Sequence, residues 1–122
     1  DALTQVGMEK LAQRQIYRLS GGQKKLAAIA GILTQSPDLL LLDEPSAALD
    51  PRNRRKLIQI LRHLSCAQLI ASHDLDFIWD TCDRVILLYQ GRVIQAGPAQ
   101  EILADRNLLE RSGLELPLRL QG

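Results

Sequence analysis

The sequence predicts an α/β fold in which a mostly parallel sheet is flanked by helices. The first observation is the run of four leucines at residues 39–42, which does not alternate and indicates a strand buried on both faces. Two further apolar runs, residues 67–71 and 83–89, follow it with helical segments in between. Strands that alternate with helices are typical of a parallel sheet with right-handed crossovers.

The composition is that of an ordinary globular chain. Apolar residues make up 46% and charged residues 24% of the 122 positions, a length that allows one domain at most. Only 3% are aromatic, so the core must be aliphatic. The formal charge of +1 decides nothing about nucleic acids, but a dedicated binder would usually show a basic stripe. The nearest cluster, residues 52–56, is predicted to be a solvated helix face, and we expect no nucleic-acid partner.

Cysteines and termini suggest the setting of the chain. Cys66 and Cys82 are isolated and lie beside apolar strands, which predicts buried, reduced thiols and a cytosolic location. No stretch approaches the ~20 apolar residues of a membrane helix, and no leader is visible at Asp1. Because the chain opens without methionine, directly in a helical pattern, we expect it to be a piece of something longer.

The first elements follow from spacing and from breakers. Residues 1–13 and 20–34 repeat apolar side chains at helical intervals. The second of these helices is apolar nearly all round, which predicts a buried position. Pro37 closes the next loop, and the central strand runs over residues 38–43 until Pro45 stops the ladder.

The middle elements begin at Asp50-Pro51. Asp is a favoured N-cap and Pro is favoured at the first helical position, so a helix is predicted from Pro51. A strand over residues 67–71 and a brief helix over residues 75–81 follow.

The last third of the chain is predicted to contain a hairpin. The strand over residues 83–89 is turned by Gln90-Gly91 into residues 92–96. A helix over residues 99–105 comes next, and residues 107–122 are predicted to be a tail.

Two carboxylates, Asp43 and Glu44, lie at the carboxyl end of the central strand, where open α/β sheets bind ligands. At such an end, one acid can face a metal ion while the other faces an attacking water molecule. An acidic turn after a core strand explains this stretch alone equally well.

Two further motifs have a simple explanation beside a functional one. Ser20-Gly21-Gly22-Gln23 combines a hydroxyl with two glycines at a predicted helix start, where free N–H groups attract phosphate, but a Ser-capped helix would look the same. His73 follows the end of a strand, where a capped or packed imidazole is the simple alternative.

Taken together, these motifs resemble the ATP-binding subunits of ABC transporters. Residues 19–23 match the signature motif of that family, and residues 39–44 are similar to its Walker B strand with the following glutamate. Residues 46–50 resemble its D-loop, and residues 72–74 its switch-histidine region. The resemblance implies the C-terminal part of a P-loop NTPase domain, an ATPase as the complete subunit, and ATP with Mg²⁺ as ligands.

The roles of single residues are implied by the same resemblance. Asp43 would hold Mg²⁺ through water, Glu44 would orient or deprotonate the attacking water, and His73 would contact the γ-phosphate. The remaining cofactor-binding residues would act across a dimer interface, and they are Ser20, Gly21, Gly22, Gln23 and Asp50.

A finer similarity points to the cobalt/nickel and energy-coupling-factor importers. It rests on residues 74–77, 81–88 and 108–117. It implies import of a metal ion or vitamin, with a second ATP-binding subunit and transmembrane permease subunits as partners, at the cytoplasmic face of the membrane. The implied division is the end of a helical subdomain over residues 1–19, a partial ATPase core over 20–105 and a C-terminal tail over 106–122.

The family's phosphate-binding P-loop is missing, because none of the eight glycines is followed by lysine. We therefore expect residues 1–122 alone to bind nucleotide weakly and not to hydrolyse ATP, and we expect an exposed sheet face or edge. Two alternatives stay open: a noncatalytic remnant that supplies the signature motif in trans, and an ABC ATPase that acts in DNA repair or translation.

Overall fold

The computed structural model describes residues 22–122. The helix predicted over residues 1–13 lies outside the described residues, as do Ser20 and Gly21. The chain divides into two compact units, Asp1–Ala71 and Ser72–Gly122.

The described part of the first unit contains two helices and a two-stranded sheet. Its elements are α1 (Gly22–Leu33), β1 (Leu39–Asp43), α2 (Pro51–Arg62) and β2 (Ala67–Ala71). The two strands are parallel, with Leu39 opposite Ala67 and Asp43 opposite Ala71. The sequence therefore placed a parallel strand pair correctly, and α2 is the crossover between the strands.

Burial along β1 alternates. Leu40 and Leu42 are 3% and 2% exposed, and Leu57 of α2 is also buried. Leu39 is 42% exposed, and Leu69 of β2 is 59% exposed. The prediction that β1 is buried on both faces is therefore wrong for the described part of the chain. Successive strand residues point to opposite faces, and only one face of this sheet is covered there.

The start of α2 agrees with the sequence. Asp50 has extended backbone angles, and its Oδ1 accepts a hydrogen bond of 2.8 Å from the backbone N–H of Asn53. Pro51 takes the first helical position, where the absence of an N–H group costs nothing.

The second unit contains three short helices and an antiparallel hairpin. Its elements are α3 (Leu75–Thr81), β3 (Arg84–Tyr89), β4 (Arg92–Pro98), α4 (Ala99–Leu103), α5 (Arg106–Arg111) and a 3₁₀ turn (Leu118–Leu120). The hairpin was predicted, and its two turn residues, Gln90 and Gly91, have φ angles of 50° and 75°. Two successive positive φ angles are typical of a type I′ turn, whose backbone twist matches the right-handed twist of the flanking strands.

The predicted tail contains a helix that the sequence analysis missed. Asp105 caps α5, since its Oδ1 accepts a bond of 3.1 Å from the N–H of Leu108. Gly113, with φ of 75°, ends it, and the N–H of Leu114 bonds to the carbonyl of Leu109 at 2.8 Å. Leu108 and Leu109 are buried in one cluster with residues of β3 and α4, so this segment is part of the core of its unit.

Both cysteines are free and half-buried, rather than fully buried as expected. None of the helices described over residues 22–122 has the length and apolar character needed to cross a membrane.

Candidate functional site

The two predicted carboxylates lie where β1 leaves the sheet. Asp43 is the last residue of β1, and Glu44 follows it with a φ angle of 49°. The N–H of Glu44 donates a hydrogen bond of 2.8 Å to the carbonyl of Ala71, at the end of β2. This bond extends the contact between the strands by one step, and the positive φ then turns the chain away. Both acids are half-buried.

The backbone at Glu44 is strained. A left-handed conformation costs a residue with a side chain about 1–2 kcal/mol, and glycine would avoid most of that cost. The loop that follows is closed by two turns, with bonds of 3.2 Å from Ala47 N–H to Glu44 O and 3.3 Å from Leu49 N–H to Ser46 O. Pro45 and Ser46 are buried. Glu44 is therefore held in an unfavourable conformation by a well-bonded surrounding.

Asp50 ends this loop. Its carboxylate is exposed and caps α2 through the N–H of Asn53. The structure thus gives Asp50 a local role as a cap, while its implied role across a dimer interface stays a prediction.

His73 belongs to the second unit and is exposed. It lies between two residues that organise the start of α3. Ser72 Oγ accepts a bond of 3.0 Å from the N–H of Asp74, and Asp74 Oδ1 accepts one of 3.1 Å from the N–H of Phe77. The backbone on the C-terminal side of His73 is therefore bonded into the first turn of α3.

The predicted signature motif is described only in part. Gly22 is the first residue of α1 and Gln23 the second. Ser20 and Gly21 precede the described residues, so the proposed phosphate contacts of this motif stay predictions.

The donor set at the end of β1 fits a magnesium ion bound with phosphate. Among the described residues, no group of three or more His, Cys, Asp or Glu side chains could form a protein cage for a metal. Mg²⁺ usually keeps several water molecules and takes one or two carboxylates plus phosphate oxygens. Asp43 can supply one such carboxylate.

One cluster within the second unit had no signal in the sequence. Arg119, in the 3₁₀ turn, forms ion pairs of 2.9 Å with Asp76 and 2.8 Å with Asp80, both on α3. Partial burial favours the protonated form of Asp76, but hydrogen bonds from Leu118 and Arg119 outweigh it and lower the pKa of this carboxyl. The two acids stand four residues apart, which places them on one helix face, but their partner is distant in sequence.

Comparison with known proteins identifies the family. The model described as "AAA domain, putative AbiEii toxin, Type IV TA system" matches residues 2–77, more than half of the chain. The chain belongs to this AAA-domain family. Its α/β fold is that of part of an ABC-type ATPase domain, as the resemblance implied.

Relatives of this AAA domain are named as transporter components. A protein of Gloeobacter violaceus named as an ABC transporter ATP-binding protein is 53% identical over 121 residues, covering 98% of this chain and 50% of its own length. An energy-coupling factor transporter ATP-binding protein of Methanospirillum hungatei is 40% identical, covering 99% of this chain and 31% of its own length. The chain spans about half the length, or less, of the curated relatives it matches.

Solved structures give the same picture. The protein cbiO1 of Clostridium perfringens, described as part of the ABC transporter complex cbiONQ, matches with a TM-score of 0.62 and 34% identity. That match covers 84% of this chain and 46% of the other. A metal-chelate type ABC transporter in an inward-facing conformation matches with a TM-score of 0.69 and 26% identity, over 78% of this chain and 39% of the other. The resemblance to ABC ATP-binding subunits, including the energy-coupling factor group, is therefore confirmed.

Proposed function

We propose that this AAA domain is part of the ATP-hydrolysing subunit of an ABC transporter. The observation that supports this most directly is the pair Asp43-Glu44 at the carboxyl end of a parallel strand. Glu44 is held there in a strained conformation by a backbone bond to the neighbouring strand. Such strain is typical of functional sites, where the surrounding structure fixes one reactive group.

The two acids divide the chemistry between them. Asp43 would hold Mg²⁺ through water, and the ion, when bound, supplies positive charge to the phosphate oxygens. Glu44 would accept a hydrogen bond, and then a proton, from the attacking water molecule. His73 would donate a hydrogen bond to the γ-phosphate. Positioning and charge stabilisation of this kind account for most catalysis in phosphoryl transfer.

The remaining residues would act between two copies of the subunit. Gly22 and Gln23, at the start of α1, and the preceding residues Ser20 and Gly21 would contact the γ-phosphate bound by the other copy. Asp50 would act across the same interface. Two ATP-binding subunits would then work together with transmembrane permease subunits at the cytoplasmic face of the membrane.

A metal ion or a vitamin is the proposed cargo, and import is the proposed direction. Support comes from the names of the relatives: energy-coupling factor transporters, the cbiONQ complex and a metal-chelate type transporter. The substrate would be recognised by the permease and not by this chain.

The test is ATP turnover by the protein that contains this chain. Glu44→Gln keeps the size of the side chain and removes the base, so we expect kcat to fall at least about 100-fold while ATP still binds. Asp43→Asn should weaken the binding of Mg-ATP. Glu101→Gln is the matched control, because Glu101 is exposed on α4 and its replacement is the same chemical change outside the site.

The outcomes separate cleanly. Loss of turnover in Glu44→Gln, with Glu101→Gln unchanged, supports the assignment. Equal turnover of Glu44→Gln and the unsubstituted protein would overturn it. The proposed site needs two copies, and Glu44→Gln should bind ATP without hydrolysing it. This variant should therefore stay dimeric in the presence of ATP, which light scattering measures.

A further inference from the structure

The C-terminal 3₁₀ turn, Leu118–Leu120, is bonded to helix α3 mainly through Arg119. We refer to the bonds from this turn to Asp76 and Asp80 as the grip. The guanidinium of Arg119 donates two bonds of 2.8 Å to the two carboxylate oxygens of Asp80. Its Nε donates a bond of 2.9 Å to Oδ1 of Asp76. The same guanidinium lies 5.7 Å from the ring centre of Trp79 on the same helix. Arginine suits such a site because its planar fork binds a carboxylate with two parallel bonds.

The backbone of the turn takes part in this grip. Asp76 Oδ2 accepts a bond of 2.8 Å from the N–H of Leu118, and Oδ1 accepts one of 3.3 Å from the N–H of Arg119. Asp76 thus binds the turn through both of its oxygens. The side chains of Arg119, Asp76 and Asp80 are 35%, 20% and 31% exposed, so they are only partly shielded from water.

The gripped segment lies directly after His73. Asp74 caps α3, and Asp76 stands in the first turn of that helix. Ser72 Oγ accepts the N–H of Asp74, so the backbone on both sides of His73 is tied to the helix start. The first N–H groups of a helix lack intrahelical partners, and here Asp74 Oδ1 accepts from the N–H of Phe77. The contacts of Arg119 act differently, because they hold the carboxylate of Asp76 in the same turn.

We propose that Arg119 is a positioning residue for His73, acting through α3. This inference rests on the proposed function, in which His73 contacts the γ-phosphate. The grip keeps the first turn of α3 closed and so keeps the imidazole in one place. Loss of the Arg119 side chain removes its bonds to Asp76 and Asp80 and leaves only backbone bonds from the 3₁₀ turn to Asp76. The first turn of α3, and the histidine that precedes it, is then held less firmly. Small misplacements of a group that stabilises charge reduce the rate of the chemical step.

The first experiment measures the grip itself and does not depend on ATP turnover. Amide hydrogen exchange is followed in the protein that contains this chain, with Arg119→Gln and the control Arg106→Gln. Arg106 is exposed at the start of α5, so the control removes the same charge from the same unit. We expect faster exchange at residues 75–78 in Arg119→Gln alone. Unchanged exchange there would overturn the proposal.

The second experiment measures the consequence for His73. In Arg119→Gln, kcat should fall by about 2- to 30-fold, the range found for coupling through packed elements, and the affinity for ADP, which lacks the γ-phosphate, should stay the same. Arg119→Lys keeps the charge but loses the fork, and should recover part of the rate. Faster exchange with unchanged kcat would overturn the positioning role, as would a parallel loss of ADP affinity. An unsubstituted protein without ATP turnover would instead overturn the proposed function first.

Discussion

Replacement of Asp50 separates its two roles. Its Oδ1 caps α2 with a bond of 2.8 Å to the N–H of Asn53, and the first turn of that helix contains no other acid. Loss of such a cap costs about 1 kcal/mol. Loss of the negative charge near the positive helix end costs about 0.3 kcal/mol more at an exposed position. We therefore expect Asp50→Ala to lose about 1.3 kcal/mol of unfolding free energy, and Asp50→Asn, which keeps the acceptor oxygen, about 0.3 kcal/mol.

The assay is urea unfolding at neutral pH, with Asp38→Ala as the control for an exposed acid outside a cap. High salt screens the charge contribution but leaves the cap bond in place, so it should abolish the small loss in Asp50→Asn and only reduce the loss in Asp50→Ala. Equal losses in the two variants would refute the reasoning, because the amide oxygen of Asn would then not replace the carboxylate as a cap.

The same pair of variants tests the role of Asp50 between subunits. Asp50→Asn should be nearly as stable as the unsubstituted protein, so a large fall of its ATP turnover would come from the lost carboxylate charge and not from a weakened helix. Turnover that follows stability, with Asp50→Asn close to normal, would leave Asp50 with the role of a helix cap alone.

Three further outcomes are expected. Gly91 and Gly113 both have φ of 75°, so replacement of either by alanine should cost about 1–2 kcal/mol of unfolding free energy. Gly113→Ala should cost more, because only there would the added methyl lie 3.2 Å from the ring of Tyr89. Equal falls in the thermal midpoint of the two variants would contradict this. Burial is the largest influence on the pKa of Asp76 and raises it, yet bonds from the C-terminal turn lower the pKa overall below 3.8. A carboxyl pKa that is lower in the folded than in the unfolded state stabilises the fold at any pH above the unfolded-state pKa, and this stabilisation disappears as the pH falls through the folded-state pKa. Acid unfolding curves should therefore show that Asp76→Asn loses less stability than the unsubstituted protein below about pH 4. Burial also raises the pKa of the Cys82 thiol above 9.0. Iodoacetamide should therefore label this cysteine slowly at neutral pH and faster in more alkaline buffer, as peptide mapping would show. Fast labelling at neutral pH would contradict the shift.

The elements that local chemistry determines were predictable from the sequence. Strand Ala67–Ala71 and helix Leu75–Thr81 have the predicted bounds. The hairpin and the start of α2 also agree, because Gln90-Gly91 and Asp50-Pro51 act on their own backbone. Each of these signals requires no knowledge of distant parts of the chain.

The missed elements divide into two kinds. Helix α5 has local signals, an N-cap at Asp105 and a glycine at 113, although the segment follows the last predicted helix and the sequence predicts a tail there. The grip of Arg119 on Asp76 had none, because the two residues are separated by 43 positions and only the fold brings them together. Contacts of that kind depend on tertiary structure and leave no periodic pattern.

The conformation of Glu44 belongs to the second kind and bears most on function. A positive φ angle is expected at glycine, asparagine or aspartate, so a glutamate gives no warning of it. Glycine would relieve most of the strain, yet it would remove the carboxylate that the proposed chemistry needs. The bond from its N–H to Ala71 and the closed turns after it hold the strained residue in place. The local cost is thus offset by the surrounding sheet and loop, and the backbone that carries the proposed base is held in one conformation, as a positioned base requires.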